Sequence, residues 1–288
     1  MPGPARGSET RILGIDFTSA PSRRKPITCL SARLEPRAGG TVLVAEELAR
    51  WPDFPAFEAA LARPGPWIAA LDFPFGQARR FVANIGWPME WAAYVAHVGR
   101  MDRTTFRAAL ERYRAPRPPG DREHRRIVDA ATGAVSPQKL YGVPVALMFF
   151  EGAPRLLAAG VTVPGLHRGD PHRIAVEGYP GVLARALAGR TPYKAEARAK
   201  QTAARRDARA AILAAVQGPP LAARHGLTVD LPPALAEVML ADPGGDSLDA
   251  LLCAIQVAWS WQRRGTGFGA PPGMDPLEGW IADPACGG

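Results

Sequence analysis

The stretch RILGIDFT, Arg11 to Thr18, carries the fold reading: a short apolar run that ends on an acid, Asp16. Bounded apolar runs of this length read as buried strands. Working outward, ITCLSARL (Ile27 to Leu34) alternates apolar and polar residues, as a half-exposed strand does. Arg37-Ala38-Gly39-Gly40 supplies turn chemistry, and TVLVA (Thr41 to Ala45) makes a third strand. Such short links predict an antiparallel meander. DFPAFEAALAR (Asp53 to Arg63) reads as a helix stopped by Pro64-Gly65-Pro66. WIAALDF (Trp67 to Phe73) then repeats the first pattern, a buried strand with Asp72 near its end.

From Pro74 to about His172 the pattern changes to an aromatic helix candidate (Trp87 to Val98), an arginine-rich segment and a Pro/Gly-punctuated loop around Ser136 to Pro144. Strand pattern returns at RIAVEGY (Arg173 to Tyr179), so residues 76–172 read as an insertion or cap on one domain spanning 11–263. A short helix follows over Gly181 to Gly189 and a longer basic one over Ala195 to Val216; Pro219-Pro220 and Pro232-Pro233 mark loops. DSLDALLCAIQVAWSWQ (Asp246 to Gln262) is the last strong helix, with Leu248, Leu251, Leu252, Ile255 and Trp259 at helical spacing. Residues 264–288, rich in Gly and Pro, read as an irregular tail.

An apolar content of 47% with 22% charged residues is close to the globular average and excludes a wholly disordered chain. The longest apolar run, Val143 to Phe150, is too short to span a bilayer and contains Pro144, so no membrane partner is expected. MPGPARGSETR at the N-terminus lacks the apolar stretch of a secretory signal. Cys29, Cys253 and Cys286 form no CxxC pair; they read as free thiols, and the expected location is the cytoplasm. A net charge of +8 favours polyanions. With 31 of the 35 basic residues arginine, coding bias competes with that reading, and clustering is more informative. Nine arginines lie between Arg100 and Arg126, and seven basic residues, Arg205 and Arg206 among them, between Arg190 and Arg209. Each run is either a solvated helix face or a phosphate-binding surface.

Four places set carboxylates against apolar sequence: Asp16, Asp72, Glu177 and the pair Asp246/Asp249. Unpaired buried charge is costly, so such acids need partners. If the strands ending on Asp16 and Asp72 are parallel neighbours, the two acids converge; at about 4 Å they repel by about 4 kcal/mol at an effective dielectric near 20. A divalent cation with a preference for oxygen, Mg2+ or Mn2+, removes that repulsion. Local alternatives stand beside this reading. Asp16 and Asp72 can serve as turn residues, Glu177 can pair with an arginine such as Arg173, and Asp246 can cap the last helix.

At GIDFTSAP (Gly14 to Pro21), ALDFPFG (Ala70 to Gly76), VEGYPGVLARAL (Val176 to Leu187) with Tyr193-Lys194, and DSLDALLCA (Asp246 to Ala254), the chain resembles the domain of unknown function 429 family, regarded as predicted nucleases. The resemblance implies an α/β, ribonuclease-H-like mixed sheet, a three-strand meander plus parallel strands flanked by helices, with a large insertion after strand four. It further implies two-metal hydrolysis of nucleic-acid phosphodiesters. Asp16, Asp72 and Asp249 would be catalytic and bind metal, with Asp246 a further metal ligand and Glu177 a further catalytic acid. Lys194, Arg205 and Arg206 would hold phosphate, and Trp87 and Trp91 either stack bases or belong to the core.

Two other classes remain open. An actin-like small-molecule kinase would use Asp16 to Ser19 and Gly244-Gly245 around a nucleotide, although the first turn lacks the glycine that a phosphate loop needs. A non-catalytic protein binding nucleic acid or a partner would tolerate Asn at Asp16 and Asp249. His97, His124, His167, His172 and His225 show no HxxxH spacing, and no serine or cysteine triad is evident.

Overall fold

A computed structural model describes residues 10–286. Seven strands form one mixed sheet: β1 Arg11–Asp16, β2 Ile27–Arg37, β3 Gly40–Trp51, β4 Trp67–Leu71, β5 Val161–Thr162, β6 Asp170–Glu177 and β7 Leu227–Asp230. Their order across the sheet is β5-β6-β4-β1-β2-β3-β7. The meander β1-β2-β3 is antiparallel, and β4 joins β1 in parallel with Ile15 opposite Leu71. β6 adds to β4, and β7 to β3, also in parallel. Eleven helices are described: α1 Phe54–Leu61, α2 Arg79–Ile85, α3 Trp91–Gly99, α4 Arg103–Arg114, α5 Ile127–Thr132, α6 Val145–Ala158, α7 Pro180–Ala188, α8 Ala203–Val216, α9 Pro219–His225, α10 Pro233–Ala241 and α11 Asp246–Gln262.

The pleat sorts the side chains. Ile12 on β1, Ile68 and Ala70 on β4, and Ile174 and Val176 on β6 share one face with α7 to α11. Ile15, Trp67, Ala69, Leu71 and Ala175 share the other with α1 to α4 and α6. Residues 76–172 therefore supply most of the helices that cover that second face. Helix α11 lies against β1, β2 and β4, and every residue from Ser247 to Ser260 is buried. It approaches closely because β1 carries glycine at 14: a methyl there would lie 2.0 Å from the Ala250 carbonyl oxygen.

Several element boundaries differ from expectation. β3 runs on to Trp51, and β2 is more buried than its alternation implies. The aromatic helix starts at Trp91 because Glu90 caps it, accepting from the backbone of Ala92 and Ala93. The basic helix starts at Ala203, since the Ala195 N–H is taken by the Pro243 carbonyl and Arg198–Lys200 forms a separate turn. Pro219-Pro220 opens helix α9, where a fixed φ and a missing N–H cost nothing. Trp87 and Trp91 are core residues. The last residues form no long element, yet Leu277, Trp280, Ile281 and Ala282 are buried, and the Ala282 N–H donates to the Glu177 carbonyl.

Candidate metal centre

Asp16 ends β1, and Asp72 follows β4 directly, its N–H donating 2.9 Å to the Ile15 carbonyl. Parallel pairing brings both to one sheet end, and their even-numbered positions put them on the α11 face. Asp249 sits in the first turn of α11, fully buried, where the helix dipole favours an acid. Each of the three offers a carboxylate oxygen within 4.8 Å of the others.

Among the described residues, no hydrogen bond or ion pair reaches the carboxylates of Asp16 or Asp72. Burial, followed by the charges of Asp249 and Asp246, holds the Asp16 carboxyl well above the usual range. Burial pushes Asp72 up to about 7, against the lowering effect of the Lys194 ammonium. Asp249 is the partnered member: its Oδ1 accepts from the Tyr193 hydroxyl at 2.6 Å, and its Oδ2 from the Lys194 ammonium. Burial opposes the charge of Lys194, but Asp249, Tyr193, Asp72 and Asp16 outweigh it and raise its pKa well above the ordinary value. Oxygen donors and two unpartnered acids, Asp16 buried and Asp72 half-buried, fit a hard divalent cation.

The structure does not bring the other proposed residues into this triad. Asp246, one turn earlier on α11, lies outside it and does not cap the helix. That role belongs to Asp242, whose carboxylate accepts from the backbone of Gly244, Gly245 and Ser247. Those glycine amides are therefore already engaged. Glu177 points to the opposite face of the sheet, where both its oxygens accept from Arg126, at 2.6 and 2.7 Å. Its partner is not Arg173, which pairs with Asp170. Asp129 completes the Arg126 ion pair, and the Phe75 N–H also donates to Glu177.

The basic run behaves differently from a free phosphate surface. Arg205 donates to the Lys194 carbonyl and Arg209 to the Tyr193 carbonyl, so together they hold the segment that presents Tyr193 and Lys194 to Asp249. Arg206 is exposed. The sequence reading counted Arg126 and Arg209 in the two basic runs without assigning either a partner. The signal for Arg209 was weak but present, a third basic position on the one helix. Burial, followed by the charges of Asp72, Asp249 and Asp16, pushes the Cys253 thiol well up, so a thiolate nucleophile is disfavoured there.

Fold and site together define a mixed α/β protein with a buried three-aspartate cluster at the sheet end under its longest helix. The family described as "Protein of unknown function (DUF429)" matches residues 14–273, and the chain belongs to that family. Comparison with curated proteins and with solved structures finds no match. Among the described residues, no helix is long and apolar enough to cross a membrane.

Proposed function

We propose that this protein is a metal-dependent phosphodiester hydrolase acting on nucleic acid, built on a ribonuclease-H-like core. The observation that carries the reading is the pair Asp16 and Asp72: adjacent carboxylates, the first buried and the second half-buried, with no hydrogen-bond donor among the described residues, an arrangement that a proton or a cation relieves. The meander, the parallel β4 and the acid-bearing last helix support the fold reading. Within it, residues 11–263 form one domain with 76–172 an insertion, and the stretch after it packs Leu277, Trp280 and Ala282 into the two cores.

Asp16, Asp72 and Asp249 would hold Mg2+ or Mn2+, and Asp246 adds negative charge beside them. A divalent ion held there supplies the Lewis acidity that phosphodiester hydrolysis requires near neutral pH. Lys194 is 46% exposed while its ammonium rests on a fully buried Asp249, so it stands at the mouth of the cluster facing an incoming phosphate. Exposed Arg206 and Arg190 attract the polyanion without reading its sequence. Lys194 cancels one of the carboxylate charges and so opposes the entry of a second divalent ion.

Calorimetric titration of Mn2+ into wild type, Asp16→Asn and Asp249→Asn tests the reading. Binding in wild type that both variants lose, with metal-dependent cleavage of an oligonucleotide lost in parallel, is expected. Absence of Mn2+ binding in wild type, or cleavage retained by both folded variants, overturns it.

A further inference from the structure

Two hollows meet at the metal centre and share a wall made of Asp72, Tyr179 and Lys194. One, of about 250 Å³, extends under Val135, Lys139 and Val143; the other, of about 330 Å³, extends along Arg185 and Arg190. The first opens at an apolar rim: Val135 and Val143 are 40% and 60% exposed, and Tyr141 on the same loop is 59% exposed. That loop is a built wall. Ser136 Oγ donates to the His124 carbonyl at 2.6 Å, and the Gln138 side chain accepts from the His124 N–H at 2.6 Å.

Tyr179 stands between the hollows, half-buried, on backbone that is held from below. Its N–H donates to Gln256 Oε1 at 2.9 Å, and its carbonyl accepts from Gln256 Nε2 at 3.1 Å. Gln256 is fully buried on α11. The preceding residue must be glycine for this approach, since a methyl at Gly178 would lie 2.9 Å from the Cys253 sulfur. Arg185 donates to the Tyr179 hydroxyl at 3.2 Å. An aromatic ring thus stands fixed beside the proposed reacting centre and lines both hollows, with the Arg185 guanidinium over it at 5.3 Å from the centroid.

We infer that the two hollows form one groove for an unpaired dinucleotide unit, with successive bases parted by Tyr179 and their linking phosphodiester presented to Asp72 and Lys194. This rests on the phosphodiester reading above and deepens it by naming the substrate class. Three features support it. The hollows fall at or below the lower end of the roughly 300–1,000 Å³ typical of ligand sites, so each takes a single ring system. Lys139, Lys194, Arg185 and Arg190 line the groove and complement phosphate, while the acids Asp129 and Glu177 in the same lining are paired with Arg126. Tyr179 and the apolar rim offer stacking surface, which any base can use. In a duplex the bases are stacked and paired, so neighbours do not part around a ring without first being extruded.

The test is fluorescence anisotropy in EDTA, with a labelled oligothymidine strand, the same strand annealed to its complement, and an unlabelled thymidine dinucleotide as competitor. Because metal is absent, the result is independent of the Mn2+ titration above, and each reading can fail alone. The single strand is expected to bind more tightly than the duplex. Tyr179→Ala is expected to weaken it about 5- to 150-fold, the range for losing one base–aromatic stack, with Tyr179→Phe close to wild type. Val143→Glu, at an exposed position, should weaken binding without altering thermal unfolding, and guards against a Tyr179→Ala that fails to fold. A dinucleotide that competes as well as the strand identifies a small phosphodiester as occupant. A strand that wins identifies a polynucleotide, and either supports the unpaired unit. Duplex binding as tight as single-strand binding, no binding of any probe, or wild-type affinity in both Tyr179→Ala and Val143→Glu overturns the inference.

Discussion

Gly14 of β1 lies directly beneath Ala250 of α11, with 2.0 Å between a would-be Cβ and the Ala250 carbonyl oxygen. The obstacle is backbone, which cannot rotate away as a side chain can. The same approach sets Asp249, the residue before Ala250, beside Asp16. Gly14→Ala is therefore expected to destabilise the fold by about 3 kcal/mol or more, the upper end of overpacking costs. Urea denaturation reads this, and a change below about 1 kcal/mol, well under the usual overpacking range, would contradict the close packing described. Surviving folded protein should also lose the thermal stabilisation conferred by Mn2+.

Asp72 makes stability depend on pH in a definite direction. Its folded pKa of about 7 lies above the ordinary 3.8, so between those values the native state holds a proton that the unfolded chain has released. The stabilisation is complete below the unfolded pKa and is lost as pH rises through the folded one, by at most about 1.4 kcal/mol per pH unit. Asp16 acts in the same sense. His225 opposes them, since burial lowers its pKa and its neutral form is favoured as pH rises. The difference between wild type and Asp72→Asn isolates the effect. In EDTA, wild type should lose stability relative to Asp72→Asn from pH 5 to pH 8. A difference that grows in favour of wild type would contradict the raised pKa.

Lys194 should limit how many ions the cluster takes. Its ammonium occupies one oxygen of Asp249 and cancels one of three charges. Lys194→Met is expected to raise Mn2+ stoichiometry from one to two per chain, measured by calorimetry and by the free Mn2+ paramagnetic resonance signal. An unchanged stoichiometry with tighter binding would show that Lys194 competes for the first ion instead.

Arg126 is 2% exposed and holds both Glu177 and Asp129. Arg126→Met leaves two buried acids without a counterion and should cost about 3–5 kcal/mol. Lys at this position is not a substitute, because it lacks the planar fork that reaches both carboxylates. Glu177→Gln should retain Mn2+ binding, since Glu177 lies on the other face of the sheet. Loss of binding in a stably folded Glu177→Gln would return Glu177 to the ligand set.

The strands that carry Asp16 and Asp72, the turn between β2 and β3, and the helix from Asp246 to Gln262 are legible in the sequence. Each rests on residues a few positions apart, where hydrophobic period and turn chemistry act locally. The convergence of Asp16 and Asp72 needs one further step, parallel pairing of β1 with β4, which the sequence posed as a condition and the structure supplies. The face of Glu177 was also available in principle: with Val176 turned toward α11, its neighbour turns away. What the acids touch was not legible. Tyr193 and Lys194 reach Asp249 across 56 and 55 residues, and Arg126 reaches Glu177 across 51. No local pattern encodes such partners, because ion-pair choice depends on which distant segments the packed helices bring within a few ångströms. Local periodicity therefore determined which elements carry the acids, whereas long-range packing decided that Asp16 and Asp72 converge without a hydrogen-bond partner while Asp249 and Glu177 are neutralised from within.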